Sequence, residues 1–396
     1  MSILFLLSNY PGFGGIEKVT TYLTSYLRGK GYSLSILAFG TNAPQQIDEL
    51  QKDITLDFVP DQHQYRSANN TAYIWQYLCE HDFDFVVLQD SYAPIENILT
   101  EIDYPWKQKL IIVEHNSPMY ALKTVNSYFY YQAGLKFLLE RIVKYPFAAW
   151  KAFSASRKRH SFLMANCRKY VLLSDSFRQE LKALVRKWEE DKVIAITNPL
   201  TISNPMVDSV YAKKKQILFV GRLTNQKGLN FLLPIWEEFT KCNQMNWGGY
   251  NLVILGDGPL RKEVELYIRK HNLSNIRIDA PTPDVAKYYE ESEILVMTSI
   301  FEGFGLVLTE AMSRGCVPIA FDSFSSVRDI ICPSCNGILV SPFDQSEYVA
   351  KLVQLTKSPH LFKKMSEAAK SSIEKFDINV IGCKWMALFD DLSDRC

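Results

Sequence analysis

Two loops of this chain put charge where chemistry can happen. The run Gly221-Arg222-Leu223-Thr224-Asn225-Gln226-Lys227-Gly228 follows one apolar stretch and opens onto a helix-like one. Arg222 and Lys227 thereby set two cations over one crevice. A guanidinium forks onto phosphate oxygens and an ammonium acts as a point charge, so the pair suits a phosphorylated ligand. The run Thr298-Ser299-Ile300-Phe301-Glu302-Gly303-Phe304-Gly305-Leu306 follows another apolar stretch, with Glu310 beyond it. If a helix begins near Gly305, its rise separates Glu302 and Glu310 by roughly 7–8 Å, to which the loop adds a little more. That is about the span from a sugar ring to the ribose of a nucleotide sugar, with the diphosphate between them at the helix N-terminus. Carboxylates accept charge-assisted hydrogen bonds from sugar hydroxyls.

Four further groups carry weaker signals. Pro11-Gly12-Phe13-Gly14-Gly15 precedes a helix-like segment, and its glycines allow backbone N–H groups close to an anion. It is no dinucleotide fingerprint, because G-x-G-x-x-G from Gly12 needs a glycine where Glu17 stands. His115, in Glu114-His115-Asn116, follows an apolar run and so falls where strand ends present ligand-binding groups. Asp82-Phe83-Asp84 has metal-binding D-x-D spacing but immediately precedes an apolar run, and reads as strand-edge polarity. Cys332 and Cys335 have C-x-x-C spacing without a second pair or a nearby histidine. No metal site is expected.

Short apolar runs alternate with helix-length stretches and must position these loops. Strands are expected at 3–7, 34–38, 55–59, 85–88, 110–113, 170–173 and 193–196, then at 217–220, 252–255, 276–278, 294–297, 317–320 and 337–340. Helices are expected between several of them, such as 16–27 and 71–79. Strands alternating with helices argue for βαβ units and parallel sheets, and two such series argue for two doubly wound α/β domains. Asn198-Pro199, Asn204-Pro205 and Lys213-Lys214-Lys215 mark the boundary between them. Past Asp344 the pattern is helical.

The chain has 396 residues, 47% hydrophobic and 22% charged, which fits two ordinary globular domains. A net charge of +1 gives no global basic field, so nucleic acid is not an expected partner. Eight cysteines are too dilute for a disulfide framework, which suits a reducing cytosol. No run approaches the roughly 18 apolar residues of a membrane span, and the first apolar run is too short for a signal peptide. One stretch departs from this neutrality. Residues 136–169 hold nine basic residues against the single acid Glu140, including Arg157-Lys158-Arg159. Tyr128, Phe129, Tyr130, Tyr131, Phe137, Tyr145, Phe147, Trp150 and Phe153 overlap or flank it. Such a mixture over 128–169 suits an anionic membrane surface, although a solvated helix face has the same composition.

Taken in order, Gly-Arg-Leu-x3-Lys-Gly, Gly256-Asp257-Gly258-Pro259 and Glu302-Gly303-Phe304-Gly305 with Glu310 eight positions after Glu302 resemble glycosyltransferase family 4. The resemblance spans nearly the whole chain and is strongest from Ile217 to Asp344. It implies the GT-B architecture, two Rossmann-like domains facing across a cleft: an acceptor domain over 1–200, a nucleotide-sugar domain over 201–376, and a last helix in 377–396 that crosses back to the first. Arg222 and Lys227 match the family positions that neutralise the donor diphosphate, Glu310 the one on the ribose hydroxyls, and Glu302 the one against the transferred sugar. The backbone amides of Phe304, Gly305 and Leu306 match those near sugar and phosphates. Gly15 matches a glycine that approaches the diphosphate, and His115 a histidine near the reacting carbon.

The activity so implied is retaining, metal-independent hexosyl transfer from a UDP- or GDP-linked sugar to a glycan acceptor, with no cofactor. The acceptor would be lipid-linked and the enzyme peripheral at the cytoplasmic membrane face. The setting would be a surface polysaccharide such as lipopolysaccharide or capsule. The rival readings are a nucleotide-sugar epimerase of the same architecture and a non-catalytic nucleotide-sugar-binding subunit. The combined loop motifs argue against the first and the intact charged residues against the second.

Overall fold

A computed structural model describes residues 1–50, 54–91, 95–130, 135–202, 213–243 and 249–394. Residues 203–212 of the expected linker, and Tyr131, lie outside the described residues. The side chains of Phe129, Tyr130, Lys136, Phe137 and Glu140 lie outside them too.

Among the described residues thirteen strands form two parallel sheets. The first holds β1 (Ser2–Leu7), β2 (Ser33–Ala38), β3 (Thr55–Phe58), β4 (Phe85–Leu88), β5 (Leu110–Glu114), β6 (Lys169–Leu172) and β7 (Val193–Ala195), in the order β3-β2-β1-β4-β5-β6-β7. The second holds β8 (Lys214–Val220), β9 (Asn251–Leu255), β10 (Ile276–Asp279), β11 (Ser292–Met297), β12 (Val317–Phe321) and β13 (Ile338–Val340), in the order β10-β9-β8-β11-β12-β13. Each expected strand is present. The reason is visible in β4, β5 and β12, where every residue is buried. A strand covered by helices on both faces must be apolar throughout, which makes it a continuous run rather than an alternating one.

Both sheets reverse their order beside their first strand, at β1/β4 and at β8/β11. In doubly wound sheets ligands enter at such a reversal, beyond the carboxyl ends of the strands. Four loops open there. Those after β8 and β11 carry Arg222, Lys227 and Glu302, and those after β1 and β4 carry the Gly12–Gly15 run and Gln89-Asp90-Ser91.

The chain divides into two compact units, one of Met1–Ala121, Trp150–Thr201 and Asp377–Cys396, the other of Leu122–Ala149 and Ile202–Phe376. The partition passes inside the helix Leu135–Asn166, three residues after its Pro146. Residues Leu122–Ala149, placed by the sequence reading with 1–200, pack with the second unit. There Lys123, Asn126 and Ser127 line one cavity with Ile300, Phe301, Ser323 and Phe343.

In the first unit the last helix, Ile378–Ser393, starts where the Asp377 carboxylate caps the N–H of Asn379 at 2.8 Å. It lies against the helix Gly15–Gly29 and buries Ile381, Trp385, Leu388, Phe389 and Leu392. Phe389 is fully buried, with ring centroids 5.7 Å from Phe85 and 6.0 Å from Tyr32. Emptying that position leaves a cavity among rings that cannot collapse, so Phe389→Ala should cost about 3–5 kcal/mol. The urea midpoint should drop with an unchanged slope; a midpoint within error of the parent would show that this helix does not hold the unit together.

Candidate active site

The loops after β8 and β11 are sewn to each other before any side-chain charge is considered. The N–H of Ile300 donates to the Gln226 carbonyl at 2.8 Å, the Gln226 amide to the Phe301 carbonyl at 3.1 Å, and the Thr298 hydroxyl to the Lys227 carbonyl at 3.0 Å. Gly228 makes the approach possible. Its φ is +66°, and a Cβ there would sit 1.9 Å from the Thr298 carbonyl oxygen. Asn225–Lys227 form one 3-10 turn, and the helix Leu229–Asn243 follows.

This sewing brings Lys227 Nζ to 2.6 Å from Glu302 Oε1, with both side chains largely buried. The two residues that the sequence reading assigned to diphosphate and to sugar are therefore partners. Arg222, by contrast, is exposed and makes no ion pair among the described residues. Lys227, in contrast, is already held by a carboxylate.

Gly305, at φ +92°, turns the chain into the helix Leu306–Ser313. The first N–H groups of that helix have no preceding turn to bond to, and its dipole is positive at this end. Ser326 Oγ donates to the Gly303 carbonyl at 2.9 Å and Phe304 is buried edge-on against Phe376, so the loop has little freedom. Glu310 lies in the second turn, 3% exposed. The Tyr289 hydroxyl donates to its Oε2 at 2.8 Å. Burial, and then the Glu310 charge, push the Tyr289 pKa well above its ordinary value, so it remains a donor at any working pH. Sequence reasoning missed Tyr289, because nothing in Tyr288-Tyr289 marks which ring turns inward.

The first unit has its own group at the ends of β1, β4 and β5. Gly15 begins the helix Gly15–Gly29, and Gly14 is its cap. The Glu17 side chain folds back over this turn, so that a Cβ on Gly14 would lie 2.3 Å from Glu17 Oε2. The glycines that were expected to admit an anion thus already lie under a carboxyl group of the chain. Burial raises the Glu17 pKa, and the charge of Asp90 adds to it. Asp90 in turn accepts from Ser8 Oγ at 2.5 Å.

His115 Nε2 donates to Gln89 Oε1 at 2.5 Å, and burial pushes the imidazole down to about 3. Beside it Glu114 is fully buried, accepting from Ser91 Oγ at 2.9 Å and from the Tyr170 hydroxyl at 2.8 Å. His160 Nε2 donates to the Pro118 carbonyl at 3.1 Å, and burial lowers this imidazole to about 4. Arg159 Nε donates to the Ser91 carbonyl at 2.6 Å. Arg159 and His160 therefore belong to this buried network and not to an outward basic face.

Asp82 pairs with Lys109 at 3.1 Å and Asp84 accepts from the Ser2 N–H at 2.7 Å, so the D-x-D run ties a strand edge together. Cys332 and Cys335 are exposed free thiols in one turn. Among the described residues no three His, Cys, Asp or Glu side chains gather as metal ligands.

The two histidines set a pH dependence. Each imidazole has a lower pKa folded than the ordinary value near about 6.5, so protons favour the unfolded chain. The stability these groups contribute is whole above about pH 6.5 and is lost as pH falls toward about 4. The urea midpoint should decline between about pH 7 and about pH 4.5, and His160→Gln should shrink the decline. A midpoint flat over that range would contradict the burial of both rings in neutral form.

The model described as Glycosyltransferase Family 4 matches residues 13–203 of the chain, and the model described as Glycosyl transferases group 1 matches residues 206–372. An uncharacterized glycosyltransferase of Haemophilus influenzae is 25% identical over 97% of this chain and 98% of its own length. The amylovoran biosynthesis glycosyltransferase AmsD of Erwinia amylovora is 24% identical over the same shares. The crystal structure of Anabaena HepE in complex with UDP and glucose superposes with a TM-score of 0.75 at 16% identity, covering 99% of this chain and 100% of that one. The two parallel sheets are thus those of the GT-B fold, and the chain belongs to glycosyltransferase family 4.

Proposed function

We propose that this glycosyltransferase moves a sugar, with retention of anomeric configuration, from a nucleoside diphosphate donor to a hydroxyl of a lipid-linked glycan. The setting is surface polysaccharide assembly at the cytoplasmic membrane face. The observation that carries the reading is the Lys227–Glu302 pair, held beside the Leu306–Ser313 helix N-terminus with Glu310 buried in the next turn. A diphosphate at that N-terminus meets Lys227 and the exposed Arg222. Glu310 reaches the ribose hydroxyls, and Glu302 and the amides of Phe304, Gly305 and Leu306 face the sugar. The relative AmsD is named for amylovoran biosynthesis, which agrees with the setting, and HepE was crystallised with UDP and glucose, which agrees with the donor class.

In the reaction the bond from the anomeric carbon to the diphosphate oxygen breaks as the acceptor oxygen attacks from the same face. The acceptor proton passes to a donor phosphate oxygen. Arg222 and Lys227 stabilise the charge that grows on the leaving group, and preorganised cations of this kind are the largest catalytic term available. Gly15 and His115 of the first unit are assigned to the diphosphate and to the vicinity of the reacting carbon. No metal or cofactor is needed, because cations and helix end supply the charge. Arg222→Ala and Lys227→Ala should each lower turnover about 100-fold or more, with transfer persisting in excess chelator. Near-parent turnover in both variants, or loss of transfer to chelator with rescue by a divalent ion, would refute the assignment.

Membrane attachment rests on the helix Leu135–Asn166. Val143, Phe147 and Trp150 recur at helical spacing on its outer face and are 72%, 65% and 65% exposed, with Ile142 beside them. Lys144, Lys151 and Lys158 follow every seventh residue along this stripe and are exposed, as is Arg157. Apolar residues edged by lysines suit the headgroup layer of an anionic bilayer, where each cation adds about 1 kcal/mol. No described helix is long and apolar enough to cross a membrane. The protein should sediment with anionic vesicles, less with neutral ones, and be partly released by salt. Phe147 and Trp150 changed together to Ser should abolish sedimentation while nucleotide binding persists. Equal recovery on both vesicle types, unaltered by the change, would make the stripe an ordinary surface.

A further inference from the structure

Gln89 is the first residue after β4 and His115 the first after β5, at the carboxyl ends of neighbouring parallel strands. β4 also pairs with β1, so Gln89 stands at the reversal of strand order. Its backbone N–H donates to the Leu6 carbonyl at 3.1 Å, which ties its position to β1. The Gln89 side chain is 1% exposed. Its Oε1 is taken by His115, and its Nε2 is buried without a hydrogen-bond partner among the described residues.

Turning the amide over does not remove the difficulty. Nε2 would then face the imidazole, and Oε1 would inherit the unpaired place. One polar atom of Gln89 is orphaned in either orientation, and buried groups of this kind are normally satisfied by protein, water or ligand. The orphan lies at a strand end where this fold takes ligands, within one carboxamide of a histidine.

The chemistry of the missing partner follows from its neighbours. Amide and imidazole are both uncharged, so the pair offers nothing to neutralise a phosphate. A hydroxyl both donates and accepts, and so satisfies whichever amide atom is presented to it. We infer that Gln89, backed by His115, binds a sugar hydroxyl and is a specificity-determining residue of the transferase. This rests on the sugar-transfer reading above and extends it to a site in the first unit. The hydroxyl belongs either to the transferred sugar or to the acceptor glycan, and two assays separate these sources.

The probes are UDP-glucose, UDP-galactose, UDP-N-acetylglucosamine and GDP-mannose, the working donor being the one that most raises the melting temperature of the parent protein. Gln89→Met keeps the length and removes the amide. It should leave the affinity for free UDP or GDP within about twofold, because the ribose hydroxyls of the nucleotide are assigned to Glu310 and not to Gln89. If the hydroxyl is on the donor, acceptor-free hydrolysis of the nucleotide sugar falls about tenfold or more. If it is on the acceptor, hydrolysis persists while the acceptor KM rises about tenfold or more. Should the variant fail to fold, the parent gives the answer by NMR. The Gln89 carboxamide protons should shift on adding the sugar donor or the acceptor, and not on adding UDP or GDP alone. Unchanged hydrolysis and unchanged acceptor KM in a folded variant, or carboxamide protons indifferent to every sugar, would overturn the inference alone. A parent protein that binds no nucleotide sugar would overturn the transferase reading with it.

Discussion

The Lys227–Glu302 ion pair is the constraint on which the proposed donor site depends. A buried ammonium and carboxylate are each costly to desolvate, and 2.6 Å between them is what makes their burial tolerable. Reaching that distance requires the loops after β8 and β11 to be in register. Strand order supplies this, since β8 and β11 are neighbours only because the sheet reverses between them. The backbone bonds through Gln226, Ile300 and Thr298, and the glycine at 228, complete it. The same loop then continues through Gly305 into a helix whose N-terminus presents unsatisfied N–H groups. One reversal of strand order thereby gathers a cation pair, a carboxylate and a helix dipole.

The pair also changes the division of labour that residue types alone suggest. Taken singly, a lysine implies phosphate and a glutamate implies sugar. In the folded chain each holds the other, so a diphosphate bound as proposed would enter a site where Lys227 already has an anion. Removing Glu302 therefore liberates a cation as well as deleting the sugar contact proposed for it. A similar situation holds in the first unit, where Glu17 lies across the glycines of the β1 loop. Both loops keep a carboxyl group of the chain where an anionic ligand is expected.

The strands and the positions of the loops that carry Arg222, Lys227 and Glu302 were legible in the sequence because they obey short-range rules. Strands buried on both faces show as unbroken apolar runs, and ligand loops follow their carboxyl ends. The same rule that singled out His115 after β5 points equally to Gln89 after β4, but a glutamine has no charge or titration to draw notice. Tyr289 and Glu17 were illegible for another reason: their partners, Glu310 and the Gly12–Gly14 turn, are set by tertiary packing and side-chain direction. Arg159 shows the reverse error. It reads as one of three consecutive cations on a basic helix, yet helical periodicity turns it inward to Ser91 while Arg157 and Lys158 stay exposed. Composition sees the charge run, and only the helix phase separates its members.

A thermodynamic cycle across the central pair is the most direct measurement. Calorimetric affinities for free UDP and GDP would be compared in the parent, Lys227→Met, Glu302→Gln and the double variant. If Lys227 binds the diphosphate and Glu302 merely holds it in place, Lys227→Met weakens nucleotide binding about tenfold or more. Glu302→Gln should leave binding unchanged or tighter, and the double variant should match Lys227→Met. Equal weakening by the two single changes, with losses that add in the double variant, would contradict the pairing of Lys227 and Glu302 as the core of the donor site.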